Sequence, residues 1–246
     1  MATVLTITET IKTLGQIEEK LGIHLSDDRA FFTEWLNLPD TLSDFDRDRL
    51  DRIRQNYLYQ STDGILLEET IKMVLLSPLL ELAGFYQSPF KFRAEVSVAV
   101  EAIGDNDEIL RGRIDALVLQ NRLWVVLIEA KKAIFDLELA IPQTLAYMAA
   151  NPQPTQPLFG LITNGSSYLF VKLLDLQYGT SDLFATRSQH RNNLYEVLEI
   201  LSHFGNLATI QYGSVNRFAS EDRPLNPPIL GDFYRSFSPK IGGWGA

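Results

Sequence analysis

Two neighbouring segments, Arg113–Leu119 and Leu123–Ala130, constrain the fold of this chain more than any other feature. Both are strand-like and largely apolar, and only residues 120–122 separate them. A strand with one solvent-facing side alternates apolar and polar side chains, whereas a central strand covered on both sides is apolar throughout. The two segments therefore predict a pair of central strands in a sheet that helices cover on both faces.

The rest of the chain supplies further strands and the helices for such a sheet. Period-two alternation from Phe90 to Val100 predicts another strand, and a turn at Asn164-Gly165 predicts a hairpin of Leu158–Thr163 with Tyr168–Leu173. Helical spacing predicts helices within residues 9–60, over Ile65–Leu82, over Asp136–Ala150 with a kink or restart at Pro142, and over Leu194–Leu207. We predict an α/β fold with a mixed β-sheet flanked by helices, divided into a helical N-terminal extension (1–60), a core (61–210) and an extended tail (211–246).

Composition excludes several classes of function. The chain has 246 residues, no cysteine and three histidines, so disulfide scaffolds, thiolate metal sites and cysteine nucleophiles are excluded. The net charge of −9 argues against a generally adhesive nucleic-acid binder, although residues 91–132 carry seven basic and seven acidic side chains and are neutral. The sequence has no signal peptide and no spanning segment, so we expect a cytoplasmic protein with no membrane partner.

Charged side chains interrupt the two apolar strands, where charge is costly. Asp115 lies within one strand, while Glu129 and Lys131 end the other and project to the same side because they are two residues apart. A hairpin centred near Arg122 would place Asp115 opposite Glu129. Adjacent carboxylates repel unless a cation lies between them, and Lys131 neutralises only one. Two carboxylates are common Mg²⁺ ligands, so this arrangement predicts a divalent metal site.

The acid-x-Lys pattern alone is weak, because chance predicts about one such pair in this composition. Glu18-Glu19-Lys20 also matches, but on a polar helix where charge costs nothing. Glu129-Ala130-Lys131 differs because it ends a buried strand beside a second acid. A structural ion pair at a strand end is the alternative interpretation.

Two helices bring further polar side chains within reach of this site. Gln143 and Tyr147 are four residues apart, hence on one helix face, although ordinary helix polar groups show the same spacing. Glu68 belongs to the inward stripe of the helix predicted over Ile65–Leu82, and Glu69 lies nearer a second apolar stripe. The pattern does not decide between these two acids, and either would also suit a positive helix N-terminus.

The order of these residues resembles the motif series of the PD-(D/E)xK nucleases. The longer context is similar to the N-terminal nuclease domain of type I restriction enzyme R subunits. The segments that carry the resemblance are Glu68, residues 77–85 (SPLLELAGF), residues 112–115 (GRID), residues 128–132 (IEAKK), Gln143 with Tyr147, and residues 161–165 (LITNG). Ile114 stands where proline is common in the superfamily, and these 246 residues contain neither a P-loop nor room for the family's motor domain.

The resemblance implies a restriction-endonuclease-like fold and gives each candidate residue a role. Asp115 and Glu129 would hold Mg²⁺, for which Mn²⁺ can substitute, and Glu68 would contribute a further acid. Lys131 would orient the attacking water and stabilise charge on the phosphate. Gln143, together with the tyrosine four residues later, would support the site or the DNA backbone. The reaction implied is metal-assisted hydrolysis of DNA phosphodiester bonds in restriction, defence or DNA repair.

Three hypotheses follow, in order of preference. The first is a Mg²⁺-dependent DNA nuclease. The second is a catalytically silent nucleic-acid-binding or regulatory module that keeps the nuclease fold, or one that acts only with partner subunits. DNA is the expected partner of the chain, and protein subunits or a second copy in a homodimer are further expected partners. The third is a structural protein in which Asp115 and Lys131 form a plain salt bridge.

Overall fold

Eight strands form one mixed sheet in the computed structural model, which describes residues 3–103, 108–120, 123–188 and 191–216. The strands are β1 (Thr3–Thr6), β2 (His24–Leu25), β3 (Phe90–Glu101), β4 (Glu108–Gln120), β5 (Leu123–Ala130), β6 (Leu158–Thr163), β7 (Ser167–Leu174) and β8 (Gln177–Ala185). Their order is β1-β4-β5-β6-β7-β8-β2, and β3 pairs with the other edge of β4. β4 and β5 are therefore central strands, as their apolar composition predicted.

Helices cover both faces of this sheet, which confirms the predicted α/β class. They are α1 (Ile7–Thr10), α2 (Leu14–Leu21), α3 (Asp44–Gln60), α4 (Glu68–Ile71), α5 (Ser77–Leu82), α6 (Ile141–Met148) and α7 (Leu194–Asn216). A π-helical turn over Lys72–Leu76 joins α4 to α5 without a break, and a 3₁₀ turn over Leu137–Ala140 precedes α6. Pro142 lies in the first turn of α6, so the predicted restart of this helix is confirmed.

Two hydrophobic clusters, one on each face, hold the layers together. The first includes residues of α3, α5 and α7, and the second includes residues of α1, α2 and α6. Side chains of β4 change the face to which they point at Asp115: Ile114 belongs to the second cluster, but Ala116 belongs to the first. A regular strand would point these two side chains to the same face. The paired strand β3 is irregular at the same level, where Glu95 has a positive φ of 54°.

One edge of β4 is shared by two strands, and this creates an opening in the sheet. β1 runs parallel to β4 over residues 108–111, and β5 runs antiparallel to it over residues 116–120. Gly112 to Asp115 lie between these two pairings, and on this edge of β4 no strand of the described residues pairs with them. Asp115 is therefore at a gap between β1 and the end of β5.

The N-terminal segment differs from the prediction of helices alone. It adds β1 and β2 to the sheet, and each pairs in parallel with its neighbour. Helix α3 begins with a capping box at Ser43 and is charged on its outer side, but Leu50, Ile53 and Tyr57 are buried in the first cluster. One face of α3 is therefore charged, and the other face packs on the core.

Other sequence-based boundaries also shift. The helix predicted from Ile65 begins at Glu68, and β8 was not predicted because its buried and exposed residues do not alternate cleanly. Helix α7 extends to Asn216, beyond the predicted start of the tail at residue 211. Residues 217–246, which hold most of the predicted tail, lie outside the described residues. The division into extension, core and tail stays a prediction.

None of the helices in the described ranges combines the length and apolarity needed to cross a bilayer.

Candidate active site

A β-bulge sets the register that brings the two strand carboxylates together. Next to the hairpin turn Gln120 pairs with Leu123, and that register would place Asp115 opposite Ile128. The pairing shifts by one residue between Val118 and Leu119, and from there Ala116 pairs with Ile128. One further step in this register sets Asp115 opposite Glu129. A bulge inserts one extra residue into one strand, so it changes which side chains face each other beyond it.

Asp115 uses both carboxylate oxygens in hydrogen bonds. Its Oδ1 accepts from Lys72 Nζ at 2.9 Å, and its Oδ2 accepts from the backbone amide of Ala130 at 2.8 Å. The second bond takes the place of a backbone hydrogen bond between β4 and β5. Asp115 therefore ties the open edge of β4 to the end of β5, and its side chain keeps 21% exposure.

Glu129 is the most deeply buried acid of the site. Its Oε1 accepts from Lys131 Nζ at 2.5 Å and from Gln143 Nε2 at 3.1 Å, while Oε2 is buried with no hydrogen-bond partner among the described residues. The pKa of Glu129 is raised from 4.5 to about 7, mainly by burial; Lys131 lowers it, and the charges of Asp115 and Glu68 raise it. A buried carboxylate oxygen without a partner is costly, so this atom needs a proton or a cation.

Helix α6 supplies two polar side chains of the site, Gln143 and Tyr147. Gln143 Nε2 donates to Glu129 Oε1 and to Tyr147 Oη, the latter at 2.6 Å, and Gln143 Oε1 accepts from Lys131 Nζ at 3.2 Å. Burial and the nearby charge of Glu129 raise the pKa of Tyr147 to about 12, so this phenol stays protonated at neutral pH. The predicted pairing of Gln143 with Tyr147 on one helix face is present in the structure.

Gly112 makes room for the Tyr147 ring at the open edge of β4. A Cβ at residue 112 would lie 2.4 Å from Tyr147 Cε1 and 3.1 Å from Ile7 Cδ1. Such distances are far inside van der Waals contact, so any side chain at this position would displace the ring. The glycine of the GRID segment is thus explained by the aromatic ring that covers the gap in the sheet.

Lys131 follows β5 directly and is held by the neighbouring strand. Its backbone amide donates to the carbonyl of Thr163 at 2.7 Å, which continues the parallel pairing of β5 with β6. Its ammonium bonds Glu129 and Gln143, and the side chain keeps 12% exposure. The site is therefore open to solvent at Asp115 and Lys131 and closed behind Glu129.

Helix α4 distinguishes the two candidate acids that the sequence left open. Glu69 is exposed and lies 3.1 Å from Lys72 Nζ. Glu68 is half-buried, and its charge acts on the pKa of Glu129. Of the two acids, Glu68 is the less exposed and the one whose charge acts on Glu129.

Lys72 was missed as a site residue in the sequence analysis. It follows Glu68 by four residues, one helical turn, and this spacing was the available signal. The ammonium bonds both Asp115 and Glu69. Burial alone would lower the pKa of Lys72, but the hydrogen bond and charge of Asp115, helped by Glu69, outweigh it and raise the pKa.

The donor set suits a divalent cation. Within the described ranges, no group of three or more His, Cys, Asp or Glu side chains is close enough to form a ready metal cage. Asp115, Glu129 and Glu68 nevertheless share one electrostatic neighbourhood, and the orphaned Oε2 of Glu129 offers a buried lone pair. Carboxylate oxygens completed by water are the usual Mg²⁺ ligands, so these residues fit that ion.

The fold and the site together define a class of protein. A mixed α/β sheet with an acid within one central strand, an acid-x-Lys segment at the end of the next, and a Gln-x-x-x-Tyr helix is that of a restriction-endonuclease-like domain. The family model for the type I restriction enzyme R protein N terminus matches residues 47–178, more than half of the chain. The chain belongs to this family.

A solved structure provides one further comparison. A fragment attributed to an HsdR subunit of a type I restriction enzyme from Vibrio vulnificus YJ016 is 15% identical, with a TM-score of 0.37. The similarity covers 57% of this chain and 26% of that fragment, so the chain matches about a quarter of its length. No curated protein matches the chain.

Proposed function

We propose that this chain is a Mg²⁺-dependent nuclease domain that hydrolyses DNA phosphodiester bonds. One observation carries the proposal: Asp115, Glu129 and Lys131 lie together at a solvent-accessible gap in the sheet, where Glu129 Oε2 is buried with no hydrogen-bond partner among the described residues. A purely structural ion pair would satisfy both carboxylate oxygens, because an unpaired buried oxygen costs stability. The arrangement suits a centre that is completed by a ligand.

Each residue has a task in this proposal. Asp115 and Glu129 would hold the ion, with Glu68 as a further acid nearby, and the ion would supply activation of water and neutralisation of charge on the phosphate. Lys131 would orient the attacking water and meet the charge that develops on the phosphate, since its side chain keeps 12% exposure next to Glu129. Gln143 fixes the orientation of Glu129 Oε1 and Lys131 through two hydrogen bonds.

The family supports DNA as the substrate and subunits of a restriction complex as partners. The matched model describes the N terminus of an R protein of type I restriction enzymes. The charge pattern is compatible with a polyanionic substrate, because the net charge of −9 arises outside the neutral segment 91–132. An ion bound at the carboxylates would add local positive charge.

Cleavage of supercoiled plasmid by the purified chain in Mg²⁺ or Mn²⁺ tests the proposal. Asp115→Asn and Lys131→Met are expected to lose about a hundredfold or more of the wild-type rate, the usual effect of removing a group that stabilises the transition state. Asp175→Asn is the matched control. Asp175 lies in the exposed turn after β7, at the opposite end of the strands, and asparagine tolerates its φ of 53°. Equal rates in wild type and the site variants would indicate a contaminating nuclease and refute the proposal.

A catalytically silent binding module is the second candidate. It is favoured by Lys72, which already neutralises Asp115 in the absence of an ion, and by the lack of a three-ligand cage in the described residues. This candidate predicts Mn²⁺ binding in calorimetry with no plasmid cleavage by the wild type.

A further inference from the structure

Lys72 is the cation that now balances the charge of Asp115. Its Nζ lies 2.9 Å from Asp115 Oδ1, and both side chains are mostly shielded, with 23% and 21% exposure. Asp115 Oδ2 is bonded to the amide of Ala130. Lys72 therefore occupies the oxygen of Asp115 that the backbone leaves available.

Lys72 approaches Asp115 from the face of the sheet opposite helix α6. The residue opens the π-helical turn Lys72–Leu76, and its own carbonyl accepts the wide-turn bond from the amide of Ser77. Ile71 immediately before it is buried against Gly165 of the β6–β7 turn, where a Cβ would lie 3.2 Å from the Ile71 side chain. Such π-turns are uncommon within helices and often occur at functional sites.

We infer that Lys72 is a built-in counter-ion of the metal site, which occupies Asp115 Oδ1 in the metal-free protein and competes with a divalent cation for that oxygen. The inference rests on the proposed function, since it assigns a metal to the same carboxylates. Lys72 is a positioning residue here, because it acts through Asp115. The competition lowers the affinity for the ion and keeps Asp115 and Glu129 from repelling each other when no ion is bound.

Lys131 does not compete with a divalent cation in this way. It bonds Glu129 Oε1 and Gln143, but no group in the described part of the chain bonds Glu129 Oε2. A cation that used Glu129 Oε2 and Asp115 would leave the Lys131 contacts in place, whereas it would meet Lys72 at Asp115 Oδ1. The two lysines thus have separate roles, and only Lys72 stands in the place of the ion.

Calorimetric titration of the full chain with Mn²⁺ alone tests this inference. Lys72→Met keeps most of the apolar stem and removes the charge, and it is expected to lower the Kd for Mn²⁺ at least about tenfold, which corresponds to about 1.4 kcal/mol. The matched control is Lys20→Met. Lys20 pairs with Glu108 at 2.7 Å with 25% and 22% exposure, but Glu108 lies seven residues from Asp115 along β4, about 23 Å away. Lys20→Met is expected to leave the Kd unchanged.

Thermal unfolding gives an independent readout. In EDTA, Lys72→Met is expected to have a lower Tm than wild type, because the repulsion between Asp115 and Glu129 is then unrelieved. Saturating Mn²⁺ is expected to raise the Tm of Lys72→Met more than that of wild type. Asp115→Asn assigns the binding to this site by removing it in both backgrounds.

The possible failures are distinguishable. If wild type binds Mn²⁺ at Asp115 and Lys72→Met binds it equally or more weakly, the inference is refuted while the proposed function stands. If neither wild type nor Lys72→Met binds Mn²⁺, both are refuted. Binding by Lys72→Met alone would support the inference in its strongest form.

Discussion

The buried carboxylate of Glu129 makes the stability of the metal-free protein depend on pH. Its pKa is raised from 4.5 to about 7, first by burial and then by the charges of Asp115 and Glu68. A raised acid pKa means that the folded state holds the proton more tightly than the unfolded state. The stabilising contribution of Glu129 to the free energy of unfolding is thus fully present below about pH 4.5 and is lost as the pH rises through about 7.

The size of the loss follows from the two pKa values. A difference between 4.5 and about 7 corresponds to about 3 kcal/mol of unfolding free energy. Glu129→Gln carries no titrating proton at this position, so its free energy of unfolding lacks this component. Other groups titrate in the same window, and they cancel when the pH dependence of wild type is compared with that of Glu129→Gln.

Urea denaturation in EDTA at pH 5, 6, 7 and 8 measures the effect. Wild type is expected to lose up to about 3 kcal/mol more than Glu129→Gln between pH 5 and 8. Adding Mg²⁺ at pH 8 is expected to restore stability to wild type only, because the ion binds the ionised carboxylates. Identical pH dependence in the two proteins would show that Glu129 is solvated or paired in a way that the structure does not have, and would refute this reasoning.

Two further predictions concern the support of the site. Gly112→Ala is expected to cost about 1–3 kcal/mol of unfolding free energy, since its Cβ would lie 2.4 Å from Tyr147, whereas Gly15→Ala in open space on α2 should gain about 0.5–1 kcal/mol. An unchanged urea midpoint for Gly112→Ala would contradict the packing described here. Asn164→Ala is expected to cost about 2 kcal/mol, because its amide donates to the Phe135 carbonyl at 2.7 Å and its carbonyl oxygen organises the β6–β7 turn. Amide hydrogen exchange should then accelerate in residues 132–136. Unaltered exchange there would show that the Asn164 side chain does not hold this segment.

The site residues differ in how far the sequence could locate them. Glu129 and Lys131 were predicted as candidates because charge at the end of an apolar strand is unusual, and Gln143 because helical spacing joins it to Tyr147. The sequence also predicted the pairing of Asp115 with Glu129, from a hairpin centred near Arg122. The structure reaches that pairing through the bulge near Val118, which no composition rule identifies.

Other features required the folded chain. The choice of Glu68 over Glu69 depends on how the helix packs, and two apolar stripes made both acids plausible in the sequence. Lys72 was given no role from the sequence, and only the folded chain shows its contact with Asp115 at the start of the π-helical turn. The strands β1 and β2 were missed because segments of four and two residues carry too little periodicity to detect.

What the sequence by itself determined is the class of fold and the types of side chain at the site. Periodicity and burial are local properties, and each is encoded within a single strand or helix. Only the tertiary structure decided that Asp115 Oδ1 meets Lys72, and that Glu129 Oε2 has no hydrogen-bond partner across the ranges that the structure describes. Those contacts join residues as far apart as 72 and 115, and their geometry depends on a bulge, a π-turn and a gap between strands.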